Sequence, residues 1–139
     1  MPTSEQPTIL VGYTPTPQGV AALTAAIEDA QRRQAHLAVL NTGNEGNYAD
    51  PVFASEQDID AVVAELTGLG IAHTIIRPND DRPAAEALLD HAEHLGAALV
   101  VIGLRRRSPV GKLITGSTAQ SVLLNAECPV LGVKAARTA

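Results

Sequence analysis

Five short apolar runs, fairly evenly spaced, constrain this chain more than any other feature. They are Thr8 to Val11, Leu37 to Leu40, Ile71 to Ile76, Ala97 to Ile102 and Val130 to Val133. Each alternates only weakly between apolar and polar residues. A strand covered on one face alternates, whereas a strand covered on both faces reads as a nearly continuous apolar run. Hydrophobic residues make up 45% of the chain and aromatics only 2%. The core is therefore built from Val, Leu, Ile and Ala, a mix that suits helices packed on a parallel sheet.

Helical periodicity fills the intervals. Pro17 to Gln34 places Val20, Leu23, Ile27 and Ala30 on one face. A second helix starts near Ser55, where Ser55 and Asp58 have the spacing of a capping box. Ile59, Val62, Val63, Leu66 and Leu69 then form its apolar stripe, which stops at Gly68 to Gly70. A third runs from about Arg82 to Leu95, with Asp80 and Asp81 at its positive end and Gly96 just beyond it. The fourth is short, Ser117 to Asn125. The order β-α-β-α-β-α-β-α-β predicts a doubly wound parallel sheet with right-handed crossovers. At 139 residues the chain is expected to form one domain, residues 1–139.

Several function classes recede. The single cysteine, Cys128, offers neither an internal disulfide nor a cysteine metal cluster, which fits a reducing compartment. Met1 to Pro7 lacks the features of a signal peptide, and no apolar run nears the roughly 18 residues needed to cross a bilayer. A cytoplasmic protein without membrane contact is expected. With a net charge of -5 and almost no aromatics to stack bases, nucleic acid is a poor partner.

In an open parallel sheet, ligands bind beyond the carboxyl ends of the strands, where the strand order reverses. Three loops belong there: Tyr13 to Pro17, Asn41 to Asn44, and Leu104 to Thr115. The third has the chemistry of a phosphate cradle. Gly103 ends a strand and Gly116 precedes a helix start. Ser117 with Gln120 has capping-box spacing, and the first amides of such a helix bind anions. The Ser117 and Thr118 hydroxyls can donate to phosphate oxygens. Arg105, Arg106, Arg107 and Lys112 supply positive charge, four of the ten basic residues within eight positions. A solvated basic loop behind a plain serine cap is the competing explanation. The loop is not a Walker A motif, because Leu113 follows Gly111-Lys112. Nor does a G-x-G-x-x-G fingerprint follow the first strand.

These residues carry a family resemblance. Gly103, Gly116 and Ser117 fit the signature G-x2-G-x9-G-[ST] of the universal stress protein family. The opening Ile9-Leu-Val-Gly and the closing Ala126-Glu-Cys-Pro-Val-Leu-Gly-Val resemble the family's first and last strands. The resemblance implies a three-layer sandwich whose five-stranded parallel sheet has the order 3-2-1-4-5. It implies homodimers joined through the last strand. It also implies ATP or AMP as ligand, with Mg²⁺ as a conceivable companion. Gly103, Arg106, Gly116, Ser117 and Thr118 would surround ribose and phosphates, and Thr42 would hold adenine through its backbone. Two positions depart from the family: Arg106 stands at the second glycine, and Thr14 at the usual aspartate after the first strand.

Other constellations are weaker. His91 and His94 share a helix face at metal-ligand spacing, without a third ligand. His36 and His73 stand at strand starts. No serine nucleophile elbow is present. Asp80 and Asp81 read as an acidic helix start before they read as a Mg²⁺ pair. The expectation is a non-enzymatic nucleotide-binding stress protein. A slow ATPase and a dimeric interaction protein that has lost its ligand are the alternatives.

Overall fold

The computed structural model describes residues 6–42, 55–77, 83–104 and 117–135. Its elements alternate: β1 (Thr8–Tyr13), α1 (Pro17–Arg33), β2 (His36–Asn41), α2 (Glu56–Gly68), β3 (His73–Ile76), α3 (Ala84–Leu95), β4 (Leu99–Leu104), α4 (Ser117–Asn125) and β5 (Val130–Lys134). All strand pairs are parallel and the order is β3-β2-β1-β4-β5, as expected.

The weak alternation of the strands has a simple cause: both faces are buried. Ile9, Val11, Leu37, Val39, Leu99 and Val101 face α1 and α2. Leu10, Ala38, Leu40, Val100 and Ile102 face α3 and α4. The central strands β1, β2 and β4 thus feed two cores, whereas the edge strands β3 and β5 are only partly buried.

Local signals set the helix ends. Thr16 caps α1, its hydroxyl accepting from the Gly19 amide at 3.1 Å, and Pro17 takes the first helical position, where its missing N–H costs nothing. Ser55 and Asp58 form the expected reciprocal capping box at α2, with both bonds at 3.0 Å. Gly96 closes α3 in the left-handed conformation, φ 59°.

Three expectations change. Val20 is 50% exposed, because the buried face of α1 runs through Gly19, Ala22, Leu23, Ala26, Ile27 and Ala30, one position off Val20. Leu69 is 46% exposed, since it follows the last turn of α2 and leaves the stripe. The third and fourth strands start two residues later than their apolar runs. The Ile71 amide donates to Leu66 and the Ala97 amide to Ala92, so these residues finish helices before the strands begin. Asp29 has no local signal in the sequence. It is buried on α1, and it is tolerated there because it pairs with Arg32 and, at 3.6 Å, with Arg33.

Candidate functional site

The strand order reverses between β1 and β4, and there the sheet splits. β1 pairs with β2 along six residues, through Tyr13↔Asn41. Its pairing with β4 covers only Ile9↔Leu99 to Val11↔Val101. Beyond Val11 and Val101 the two strands run on toward Tyr13 and Leu104 as separate lips of a crevice.

The first turn of α1 seats against both lips. A side chain on Gly103 would collide with the Gln18 carbonyl, the Gln18 carbonyl carbon lying 2.7 Å from the Cβ position. A side chain on Gly19 would collide with the Thr14 carbonyl and hydroxyl, the Thr14 carbonyl carbon at 2.8 Å. Gly103 is therefore required by the fold itself, which gives it a reason beyond the ligand approach expected from sequence. Gly19 was missed, because only the turn at Thr14 brings the two together.

Hydroxyls and backbone furnish the β1 lip. Thr14 Oγ1 and Thr16 Oγ1 are 2.7 Å apart, and Thr14 is half-buried. The end of β2 folds over β1: the Thr42 amide and hydroxyl both donate to the Tyr13 carbonyl, at 3.1 and 3.2 Å. The Tyr13 ring itself belongs to the core between β1 and α2. Burial pushes its phenol up, helped by Asp58 and Glu65 on α2, so it stays neutral. What Tyr13 contributes at the strand end is its carbonyl. Asn41 is buried beside it. At the end of β3, Arg77 grips Glu56 with two bonds of 3.1 Å, which hold that exposed carboxyl below its ordinary range.

On the β4 side, Arg105, Arg106, Lys112 and Gly116 lie outside the described residues, as do Asp80 and Asp81. Ser117 and Thr118 open α4. Ser117 is the first helical residue of α4, whereas the expected capping box needed it one position earlier. A serine there has a backbone amide free of intrahelical bonding, as has Thr118 after it. Thr118 is half-buried.

The remaining candidates lie elsewhere. His94 donates from Nδ1 to the Asp90 carbonyl within α3, at 2.9 Å. Among the described residues no three His, Cys, Asp or Glu side chains are grouped to hold a metal. His36 meets Thr74 at 2.8 Å and His73 meets the Ile71 carbonyl at 2.8 Å, both at the amino ends of the strands. A cavity of about 280 Å³ lined by Asp90, Glu93, Asn125, Glu127 and Cys128 also opens at the amino ends, away from the crevice. No helix among the described residues is long and apolar enough to cross a membrane.

Residues 7–134 match the model of the universal stress protein family. The chain belongs to that family. A universal stress protein of Mycolicibacterium smegmatis is 42% identical over 126 residues, which cover 91% of this chain and 96% of the relative. Among solved structures, a universal stress protein from Archaeoglobus fulgidus superposes with a TM-score of 0.70 at 26% identity, covering 93% of this chain and 98% of that one. A universal stress protein of the same organism, in complex with dAMP, gives 0.64 at 20% identity, with coverage of 93% and 98%. The fold also matches an Arabidopsis thaliana family protein with AMP bound, at a TM-score of 0.63 and 13% identity, covering 94% of this chain and 92% of that one. A universal stress protein in complex with cAMP matches at 0.59 and 19%, with coverage of 96% and 100%. These likenesses confirm the family and the three-layer fold implied by the loop signature.

Proposed function

We propose that this universal stress protein binds an adenine nucleotide in the crevice between β1 and β4 and acts as a non-enzymatic sensor or regulator in the cytoplasm. The observation that carries this reading is the parting of β1 from β4 after Val11 and Val101, at the point where strand order reverses. In this reading Thr14, the end of β2 at Thr42, and the first amides of α4 at Ser117 and Thr118 would line it. The dAMP, AMP and cAMP held by three proteins of this fold support adenine as the base. Phosphate would fall to the start of α4, where helix amides and dipole favour an anion. The basic side chains Arg105, Arg106 and Lys112 would add charge, with Gly116 allowing the turn.

Calorimetric titration of ligand-free, folded protein with AMP, ATP and cAMP tests this. Saturable heat with at least one is expected. No heat with any of them rejects the reading. ATP titrated with and without Mg²⁺ separates a metal-assisted mode from a simple one.

A second reading, a dimeric interaction protein, is favoured by β5. That strand closes one edge of the sheet, and Leu131 on it is 41% exposed. Dimerisation is compatible with the first reading, whereas a dimer that has lost its ligand excludes it. Native mass spectrometry separates a dimer that carries a nucleotide from one that does not.

A further inference from the structure

We propose that the cavity between the last turns of α3 and α4 is a second ligand site, which takes a small organic cation: an ammonium or guanidinium group carried on a short aliphatic chain. The cavity holds about 280 Å³ and lies at the amino ends of the strands, at the far end of the sheet from the crevice. Its walls are fixed without a ligand. The Ala97 amide donates to Ala92 at 3.0 Å and the Ala98 amide to Thr8 at 2.8 Å, which pins the connection from α3 to β4. The Ala126 amide donates to Val122 and the Val100 amide to Pro129, both at 3.0 Å, which pins the connection from α4 to β5.

The polar groups of the wall are of one kind. Asp90 and Glu93, three residues apart on α3, are neighbours on its surface, and Glu127 brings a third carboxylate from beyond α4. Asn125 donates from its side-chain amide to the Ser121 carbonyl at 2.9 Å, within α4, and its side-chain oxygen remains an acceptor. The carboxyl ends of both helices add negative potential. Residues 83–104 and 117–128 include Glu86, Asp90, Glu93 and Glu127 and no lysine or arginine. Burial pushes the Cys128 thiol up, so it stays neutral.

Such a wall attracts a group that is all donor and positively charged. Among small organic groups these are ammonium and guanidinium. Leu89, Ala92, Ala97 and Ala126 place apolar surface beside the carboxylates. Methylenes fit there, so the head group comes with an aliphatic stem. A bare Mg²⁺ or Ca²⁺ fits less well. Such an ion gathers about six or more oxygens around one point, and among the described residues no three His, Cys, Asp or Glu side chains are grouped to hold a metal.

Titration of the ¹⁵N-labelled full chain tests the site. The ligands are n-hexylamine and agmatine, with hexanol and hexanoate as chains of the same length without the positive charge, and MgCl₂ as the bare cation. The amide resonances of Asp90, Glu93, Gly96, Asn125 and Cys128 report the cavity. Both amines are expected to shift them saturably, with Kd of about 1 mM, and hexanol and hexanoate to leave them in place. Cys128 is the only cysteine, so its rate of alkylation by iodoacetamide is a second local readout, and saturating amine should slow it. The double variant Glu93→Gln, Glu127→Gln should raise Kd for hexylamine about tenfold, with an unchanged melting temperature and unchanged AMP titration. Four results overturn the proposal. They are no saturable shift with either amine up to about 20 mM, hexanol binding as well as hexylamine, MgCl₂ producing the same shifts at tighter affinity, and a Kd within twofold in the double variant. The comparison of amine, alcohol and carboxylate on the unchanged chain decides the matter even where that variant fails to fold.

Discussion

Gly19, within the first turn of α1, and Gly103, near the end of β4, do the same work. Each lets a piece of backbone lie where a side chain would be, Thr14 over the first and Gln18 against the second. Glycine inside a helix is ordinarily a weakness that alanine repairs by about 1 kcal/mol. Here the sign reverses. Gly19→Ala is expected to lower stability by about 1–3 kcal/mol, as overpacking does, and urea unfolding measures it. A stabilised variant would mean that the Thr14 turn yields. Thr16 was open to recognition, since Thr followed by Pro17 is a helix-start signal, yet its bond to Thr14 depends on a turn that no local pattern spells out. Gly103 was expected to end a strand and lies one residue inside the end of β4; its debt to Gln18 was not visible, because the two are far apart in sequence. His36 makes a pH prediction. Burial, and then the nearby His73, lower its pKa in the folded chain. The unfolded chain, titrating near 6.5, then binds more protons as the medium is acidified. Stability from His36 is complete above that value and declines as pH falls through it toward the folded pKa. Melting temperature should drop between pH 7.5 and 5.5, and His36→Gln should shrink the drop.

At the scale of elements, the ends of helices were more legible than their faces. A cap is a short-range device. Ser55 and Asp58 are three residues apart and need nothing else in the fold to meet. Ser55→Ala is therefore expected to cost about 1 kcal/mol, read as a lowered urea midpoint with an unchanged slope. Faces depend on what lies opposite. Val20 fits an apolar stripe on paper, but the sheet meets α1 one position around, on Gly19, Ala22, Leu23 and Ala26. Small residues mark that contact because helix and strands lie close. Tyr13 followed a similar logic. It opens the loop expected to meet a ligand after the first strand, whereas period-two alternation with Ile9 and Val11 turns its ring into the core beneath α2. Asp29 escaped notice since a charged residue on an apolar face is legible only once Arg32 and Arg33 are seen to answer it.

At the scale of the whole molecule, the parallel sheet and its order followed from the alternation of runs and from the loop signature. The proposed pairing of two chains belongs to this scale as well. If β5 of one chain meets β5 of another, Leu131, 41% exposed at that edge, is covered in the assembly. Leu131→Lys should then convert dimer to monomer by native mass spectrometry, with the melting temperature becoming insensitive to protein concentration. Edge strands commonly carry a charge of this kind to discourage pairing. The split between β1 and β4 has a wider implication. Both of its lips are fastened to four consecutive residues, Thr16 to Gly19, at the head of a helix seventeen residues long. That helix acts as a wedge whose shaft is anchored across the sheet. Parting the lips would drag the head of that shaft along with them, a fastening that favours a fixed gauge. In this chain the Thr16–Gly19 segment is therefore the part of the crevice least free to change.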